Sequence, residues 1–437
     1  MQDRTAADGR PHYFCVGIGV GPANLSLASL MHGRQDMPSL FVDKKDAFSW
    51  HDGQQIAGST LQVSMIKDLV SLADPTNRFS FLAYLHAMGR IYHFLNARFD
   101  AVSRREFRDY MAWAARSNEN VVWGEDVEEV SFDGAFQVRT SRRRLSADNL
   151  SIGVGTRPWV PPVAGELSPS SFHVSEFLLK GTDLGGKRVA VVGGGQSGAE
   201  AFLDLMSRGR GEMPRRVSWI SQRPNFAPLD DSPFTNEFYM PDFSDYFAAL
   251  PGALRADFNQ RNVLTSDGVT ESTLREIYQR IYVHRFVEEQ PDLLALFPNR
   301  EVTELKGGEG APYQLTLCHN DHPGLCEQLD VDVIVWATGF RTASMDFLSA
   351  LTPRMEREGG EFKIDDYFAA CWDGPAQNRI FLQNAARQQR GLADPNLSLL
   401  AWRSQRILDR MAGIDTRPQL PSFIEWTSKP QVRPHNP

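Results

Sequence analysis

Two glycine turns carry the strongest chemical signal in this chain. Gly17-Ile18-Gly19-Val20-Gly21-Pro22 follows the apolar run Tyr13-Phe14-Cys15-Val16, and Gly193-Gly194-Gly195-Gln196-Ser197-Gly198 follows Arg188-Val189-Ala190-Val191-Val192. A glycine turn between a buried strand and a helix lets backbone N–H groups close on a pyrophosphate at the positive end of the helix dipole. One such turn is weak evidence. Two of them, each in strand–turn–helix context, imply two dinucleotides, most simply a flavin and a nicotinamide.

The residues beyond each turn tell them apart. Asp43 ends the strand Ser39–Asp43, 21 positions past Pro22, where an acid hydrogen-bonds a ribose and repels a 2′-phosphate. That suits FAD, although Pro22 stands where a third glycine would fall. The second turn leads through Arg216–Ile220 to Ser221-Gln222-Arg223, and a hydroxyl with a guanidinium suits the 2′-phosphate of NADPH. Read structurally instead, Arg223 is a solvated surface arginine.

These turns need elements to position them. A chain of 437 residues holds two or three domains, and 42% hydrophobic with 23% charged residues is ordinary for a globular protein. The net charge of −8 argues against nucleic acid or an anionic membrane as partner. No apolar run is long enough to span a bilayer, and the polar start Met1–Thr5 lacks a signal-peptide core, so a cytoplasmic location is expected. Cys15, Cys318, Cys326 and Cys371 are scattered without a CxxC pair, which speaks against zinc or a disulfide framework.

The expected fold is α/β, with two dinucleotide-binding, Rossmann-like domains and a smaller helical substrate region. Residues 12–180 and 331–412 form a discontinuous FAD domain. The NADPH domain, 186–330, is inserted into it and carries a substrate segment at about 225–290. Residues 1–11 and 428–437 read as flexible termini. Helices are expected over Asn24–Met31, Phe79–Phe94, Arg104–Ala115, Ser197–Ser207, Glu271–Arg285 and Leu397–Met411, and buried strands over Val331–Ala337 and Ile380–Asn384.

With these motifs the chain resembles the flavin-dependent N-hydroxylating monooxygenases that act on L-lysine or L-ornithine in siderophore synthesis. The resemblance runs from Val16 to Trp426. It is carried by Gly17–Leu25 (GIGVGPANL), Phe48-Ser49-Trp50-His51, Lys67–Thr76 (KDLVSLADPT), Phe79–Leu85, Gly193–Gly198, Asp231–Glu237 (DSPFTNE), Ala337–Arg341 (ATGFR) and Leu397–Leu408 (LSLLAWRSQRIL). It implies a staged reaction in which NADPH reduces FAD, the reduced flavin captures O2, and a C4a-hydroperoxyflavin hydroxylates a primary amine. The flavin carries that chemistry, and the protein binds, orients and excludes water. Only a neutral amine attacks, and a lysine side chain has a pKa of about 10.4.

The resemblance also assigns residues. Trp50, His51 and Gln62 fall where the family packs the flavin, and Thr338 and Gly339 belong to its ATGF marker. His173 matches a hinge element before the NADPH domain. Lys67 matches a lysine that pairs with the substrate α-carboxylate, and Asn236 an asparagine that holds the substrate backbone. Without the resemblance, Lys67 is a snorkelling lysine and Asn236 a satisfied loop residue. Ornithine enzymes carry a second asparagine about thirty residues later; Leu264-Thr265-Ser266-Asp267-Gly268 and Ala401-Trp402-Arg403-Ser404 instead resemble the lysine branch.

L-lysine is therefore the expected substrate, ahead of ornithine, cadaverine or putrescine, with a homotetramer as the assembly often seen among relatives. Gln389-Arg390-Gly391 departs from the usual Thr-His-Gly. A permanent cation there could alter the flavin potential or the substrate fit. It also leaves room for a non-catalytic nucleotide-binding scaffold as the alternative.

Overall fold

The computed structural model describes residues 4–5, 9–209, 211–308, 310–414 and 422–426. β1 (Pro11–Ile18) runs through the first glycine turn into α1 (Pro22–Met31), and the chain returns as β2 (Ser39–Asp43). α2 (Arg104–Arg116) crosses to β3 (Val121–Trp123). β4 (Val127–Asp133), β5 (Ala135–Thr140) and β6 (Arg144–Ile152) then form an antiparallel meander. The order across the sheet is β3-β2-β1-β6-β5-β4, with β3, β2, β1 and β6 parallel. α1 has no charged residue, and Ala23–Ser29 is buried throughout. A helix with no charged face, whose few polar side chains bond internally, can be covered on nearly every face.

The second layered unit is an all-parallel sheet. β7 (Ser171–His173) precedes β8 (Arg188–Val192), which enters α3 (Gln196–Met206) and returns as β9 (Arg216–Ile220). A helical excursion follows, with α4 (Pro241–Ala248), α5 (Gly252–Arg261) and α6 (Glu271–Tyr282), before β10 (Leu294–Phe297). β11 (Arg300–Gly308), β12 (Ala311–His319) and β13 (Cys326–Val331) make a small antiparallel sheet, and β14 (Val333–Trp336) rejoins the parallel one. The order is β10-β9-β8-β14-β7. β15 (Ile380–Leu382) pairs with β6, and α7 (Leu400–Ala412) packs on α1 and closes the first unit.

Several expectations need correction. β7 and β14 belong to the second sheet, with Val189 opposite Val333 and Val335 opposite Phe172, so that sheet spans 171–336 rather than 186–330. The run Val-Ile-Val-Trp demands neighbours on both sides, and sequence cannot say which sheet supplies them. The strand expected over Val331–Ala337 breaks at Asp332, whose carboxylate takes the Arg188 backbone N–H at 2.8 Å and its guanidinium at 2.7 Å.

The single helix expected over Phe79–Phe94 is two, Phe81–Ala87 and Ile91–Ala97, separated at Gly89, which has φ +67°. Arg4–Thr5 pairs with Pro11 and His12, so part of the expected lead-in is strand. Residues 428–437 lie outside the described residues. Cys318 and Cys326 face each other across β12 and β13 and form a disulfide. The scattered spacing concealed it, because antiparallel pairing joins residues by register rather than by motif.

The two units touch through side chains of the first and the start of α3. Arg104 makes a two-pronged pair with Glu200 at 2.8 and 2.7 Å, and Gln54 Nε2 donates to Ser197 Oγ at 3.0 Å.

Candidate active site

In the first turn Gly19 adopts φ +82°, and a Cβ there would lie 2.7 Å from Gly153 O. Only glycine meets both conditions. Gly17 passes over the Phe41 ring, and Gly21 caps α1 without any side-chain hydrogen bond. Pro22 occupies the first helical position, where its missing N–H is least needed and its fixed φ is already helical. The remaining N–H groups at the α1 terminus, with no acid in the first turn, fit a pyrophosphate.

Asp43 lies at the end of β2, where its Oδ2 accepts the Val20 N–H at 2.7 Å and its Oδ1 the Lys45 N–H at 2.9 Å. The carboxylate thus braces the turn itself, a role the spacing did not reveal. Asn24 is a further brace that sequence reasoning missed. Wholly buried, its Nδ2 lies 2.8 Å from Gly19 O, 3.0 Å from Ser151 O and 3.1 Å from Ile18 O, and its Oδ1 accepts from Ser151 and Gln383. Asn24 sits inside GIGVGPANL, so the motif contained the signal.

The second turn opens a cleft of about 800 Å³ lined by Gly193–Ser197, Ser221–Arg223, Ser266–Gly268, Arg300 and Ala337–Phe340. Gly193 has φ +135° and a Cβ there would meet Ala337 O at 2.0 Å, and Gly195 caps α3 with no side-chain bond. Gly198 allows α3 to press on Gly193 O, which a Cβ would approach to 2.2 Å. Gln196 Oε1 accepts the Thr270 N–H at 2.8 Å. Ser221 is buried, and its Oγ accepts the Arg223 N–H at 3.1 Å. The Arg223 guanidinium is not simply solvated. It donates to Asp267 O at 2.9 Å and Gly194 O at 3.3 Å, which positions at the strand end a cation whose partners among the described residues are carbonyls. This arrangement fits an anionic nucleotide.

Gln62 reaches the same cleft, 3.4 Å from both Gln196 Oε1 and Gly268 O. Thr338 donates to Trp159 O at 2.6 Å, and Gly339 has φ +89°. His173 Nε2 lies 3.0 Å from Gly339 O, while its Nδ1 accepts the Ser175 N–H at 3.1 Å. That pattern fixes Nε2–H as donor. Burial lowers the His173 pKa, so this histidine is a neutral tie between β7 and the ATGF segment.

His51 sits in a left-handed backbone conformation against Trp50 and Phe340, with ring centroids 4.9 and 5.9 Å away. Its side chain is exposed, yet the protein atoms packed around the ring, then the Arg104 charge, lower its pKa to about 4. It is neutral at pH 7 and a poor acceptor for an alkylammonium proton.

A third constellation gathers around Lys67. The half-buried ammonium donates to Ser398 Oγ at 3.0 Å and lies 6.0 Å from the Tyr239 ring centre. Burial lowers its pKa, and no carboxylate pairs with it among the described residues. Ser398 is held in turn by Asn396 Oδ1 at 2.8 Å, and the Tyr239 hydroxyl by Thr265 O at 2.6 Å. Asn236 is on the same 3-10 turn as Tyr239, Thr235–Tyr239, and is exposed, with Nδ2 on Asp231 O at 2.9 Å. Leu264–Gly268 therefore spans from the Tyr239 hydroxyl to Arg223 and Gln62. Ser398 and Tyr239 were not singled out from sequence, since neither residue type signals a role without its neighbours.

Arg390 does not stand as a free cation. It is 2% exposed, pairs with Asp245 of α4 at 3.0 Å, donates to Asp365 O at 3.0 Å and stacks 4.8 Å from the Phe368 ring centre. Arg406 shares Asp245 at 2.7 Å. The departure from Thr-His-Gly is thus a buried clamp between the helical excursion and the C-terminal segment.

Comparison with known proteins agrees with this geometry. The family model for L-lysine 6-monooxygenase/L-ornithine 5-monooxygenase matches residues 12–342. The chain is 40% identical over 420 residues to the L-lysine N6-monooxygenase of Escherichia coli, covering 94% of this chain and 98% of that protein. Its fold matches the FAD-bound cadaverine monooxygenase of the desferrioxamine pathway of Erwinia amylovora with a TM-score of 0.87 at 28% identity, covering 97% and 99% of the two chains. It matches the ornithine N-hydroxylase of Kutzneria sp. 744, solved with reduced FAD, NADP+ and L-ornithine, with a TM-score of 0.84 at 28% identity, covering 92% and 99%. Two glycine turns, two layered sheets and this breadth of similarity place the chain in the L-lysine 6-monooxygenase/L-ornithine 5-monooxygenase family, the FAD- and NADPH-dependent amine hydroxylases.

Proposed function

We propose that this enzyme hydroxylates the side-chain amine of L-lysine, in the cytoplasm, as the first step towards a hydroxamate siderophore. Gly17, Gly19, Gly21 and Asp43 hold FAD, with Trp50 and His51 beside it. Gly193–Gly198, Ser221 and Arg223 hold NADPH, and Gln62 and the Thr338-Gly339 pair lie between the two. Bound FAD, reduced by NADPH, supplies the activation of O2. The protein's own task is to hold the amine in place and keep water out.

Lys67 is the observation that carries the substrate reading. A half-buried ammonium with, among the described residues, a hydroxyl and an aromatic ring for company is worth placing there if an anion arrives to meet it. A substrate α-carboxylate is such an anion, and a diamine has none. Leu264–Gly268, the neighbourhood where ornithine enzymes carry their second asparagine, contains none and resembles the lysine branch. The extra methylene is worth about 1–3 kcal/mol in an apolar pocket, and 40% identity to a lysine enzyme points the same way. A homotetramer belongs to the same proposal. The exposed apolar residues Tyr278, Tyr282 and Phe286 are a candidate contact face for it, and light scattering in solution measures the assembly.

The deciding experiment is hydroxylated-product formation by the FAD-loaded enzyme with NADPH and L-lysine, L-ornithine, cadaverine or putrescine, with peroxide counted separately. Product from L-lysine above the other three is the expected result. Product from the diamines instead would remove Lys67 as a carboxylate receptor. NADPH oxidation to peroxide alone with all four would mean a different substrate.

A further inference from the structure

The second cleft holds another guanidinium. Arg300 opens β11 and lines the cleft beside Ser221–Arg223. Its backbone N–H donates to Ser221 O at 2.9 Å, and the Asn299 N–H donates to Arg223 O at 2.7 Å. The turn at 298–300 is therefore stitched along the strand end that presents Ser221 and Arg223. Asn299 takes φ +57° there, its side chain bonds Asp321, and Asn320 Nδ2 donates to Gln222 O at 2.8 Å. The Arg300 guanidinium is parked on Glu327 of β13, with Nε at 3.0 Å, and on Pro298 O at 2.9 Å.

We propose that Arg300 is a second ligand for the 2′-phosphate of NADPH and that Glu327 is the anion it leaves to bind it. The proposal rests on assigning the second cleft to NADPH. A phosphate monoester carries about −1.5 to −2 charges at pH 7, more than Arg223 alone neutralises, and the Arg223 Nη1 is already engaged by two carbonyls. The Glu327 side chain is 46% exposed, and a solvent-screened pair at that exposure is weak. A phosphate offering charge-assisted bonds displaces it. Only side chains need to turn, because the backbone bonds already fix Arg300 next to Ser221. NADH brings a neutral ribose hydroxyl and gains nothing from the exchange, so the Arg300–Glu327 pair sharpens the choice between the two nucleotides.

The test is equilibrium binding of NADPH and NADH to the FAD-loaded enzyme, in wild type, Arg300→Ala, Arg300→Lys, Glu327→Gln and Arg223→Ala. Arg300→Ala is expected to weaken NADPH about tenfold and NADH less than about twofold, with Arg300→Lys recovering part of the loss. Glu327→Gln, at an exposed position, is expected to tighten NADPH about two- to fivefold and leave NADH unchanged, because the competing carboxylate is gone. Equal weakening of both nucleotides by Arg300→Ala, no weakening of either, or weaker NADPH binding by Glu327→Gln would overturn the proposal. Arg223→Ala separates the two levels. If it discriminates between the nucleotides and Arg300→Ala does not, only the role of Arg300 falls. If neither discriminates, the assignment of the cleft to NADPH falls with it.

Discussion

Lys67 Nζ meets Ser398 Oγ at 3.0 Å, joining residues 331 positions apart. The contact brings the KDLVSLADPT segment against LSLLAWRSQRIL and leaves the ammonium able to exchange a hydroxyl for a carboxylate. Lys67→Ala is therefore expected to raise KM for L-lysine about 10- to 100-fold, the worth of a charge-assisted bond. Cadaverine turnover should change less than about threefold. Steady-state kinetics on both substrates checks this, and an equal loss on both would make Lys67 a structural residue.

The Gly19 turn makes a prediction about FAD. Alanine there would combine a left-handed φ with a Cβ at 2.7 Å from Gly153 O, so the backbone must move away from its pyrophosphate-binding shape. Gly19→Ala should weaken FAD at least about tenfold, at a strain of about 1–3 kcal/mol. Flavin absorbance per protein after dialysis reads the outcome. Full retention of FAD would place the pyrophosphate elsewhere.

Arg390 should matter for stability and not for flavin electronics. Removing one partner of a buried pair costs about 3–5 kcal/mol. Asp245 keeps Arg406, which brings the expected cost of Arg390→Ala down to about 2–3 kcal/mol in denaturant unfolding. Arg390→His should leave the flavin midpoint potential unchanged, since the guanidinium is spent on Asp245 and the Asp365 carbonyl. A clear shift in potential with unchanged stability would reverse that reading.

The two histidines packed on Phe340 set a pH dependence. His51 is lowered to about 4 and His173 is also lowered, both first by desolvation. The unfolded chain, with histidines near 6.5, binds more protons than the folded one between those values. Stability is then complete above about 6.5 and declines as pH falls towards 4. Melting temperature against pH should show this slope, and His51→Gln should flatten it. An unchanged slope in that variant would mean that His51 is not crowded in solution.

Much of this was legible in the chain because it rests on local rules. The strand–turn–helix units appear from buried runs meeting glycine, and both turns fold as read. Candidate site residues could be singled out only where one residue type in one motif suffices, as with Lys67 in KDLVSLADPT or Arg223 after a strand, and their roles stand as proposals. Tyr239, Ser398 and Arg300 are ordinary residues until long-range packing gives them partners. The disulfide between Cys318 and Cys326 depends in the same way on a register that no spacing rule displays.

The sequence by itself determined two dinucleotide turns, the acid after one and the cation after the other, and the family, since these follow from short-range sterics and charge. Only the tertiary structure decided that Val333–Trp336 completes the second sheet, that Asp43 braces its own turn and that Arg390 is a buried clamp. Those outcomes depend on which distant groups compete for the same hydrogen bonds and the same buried space. That competition is settled when the two sheets and the helices between them come together.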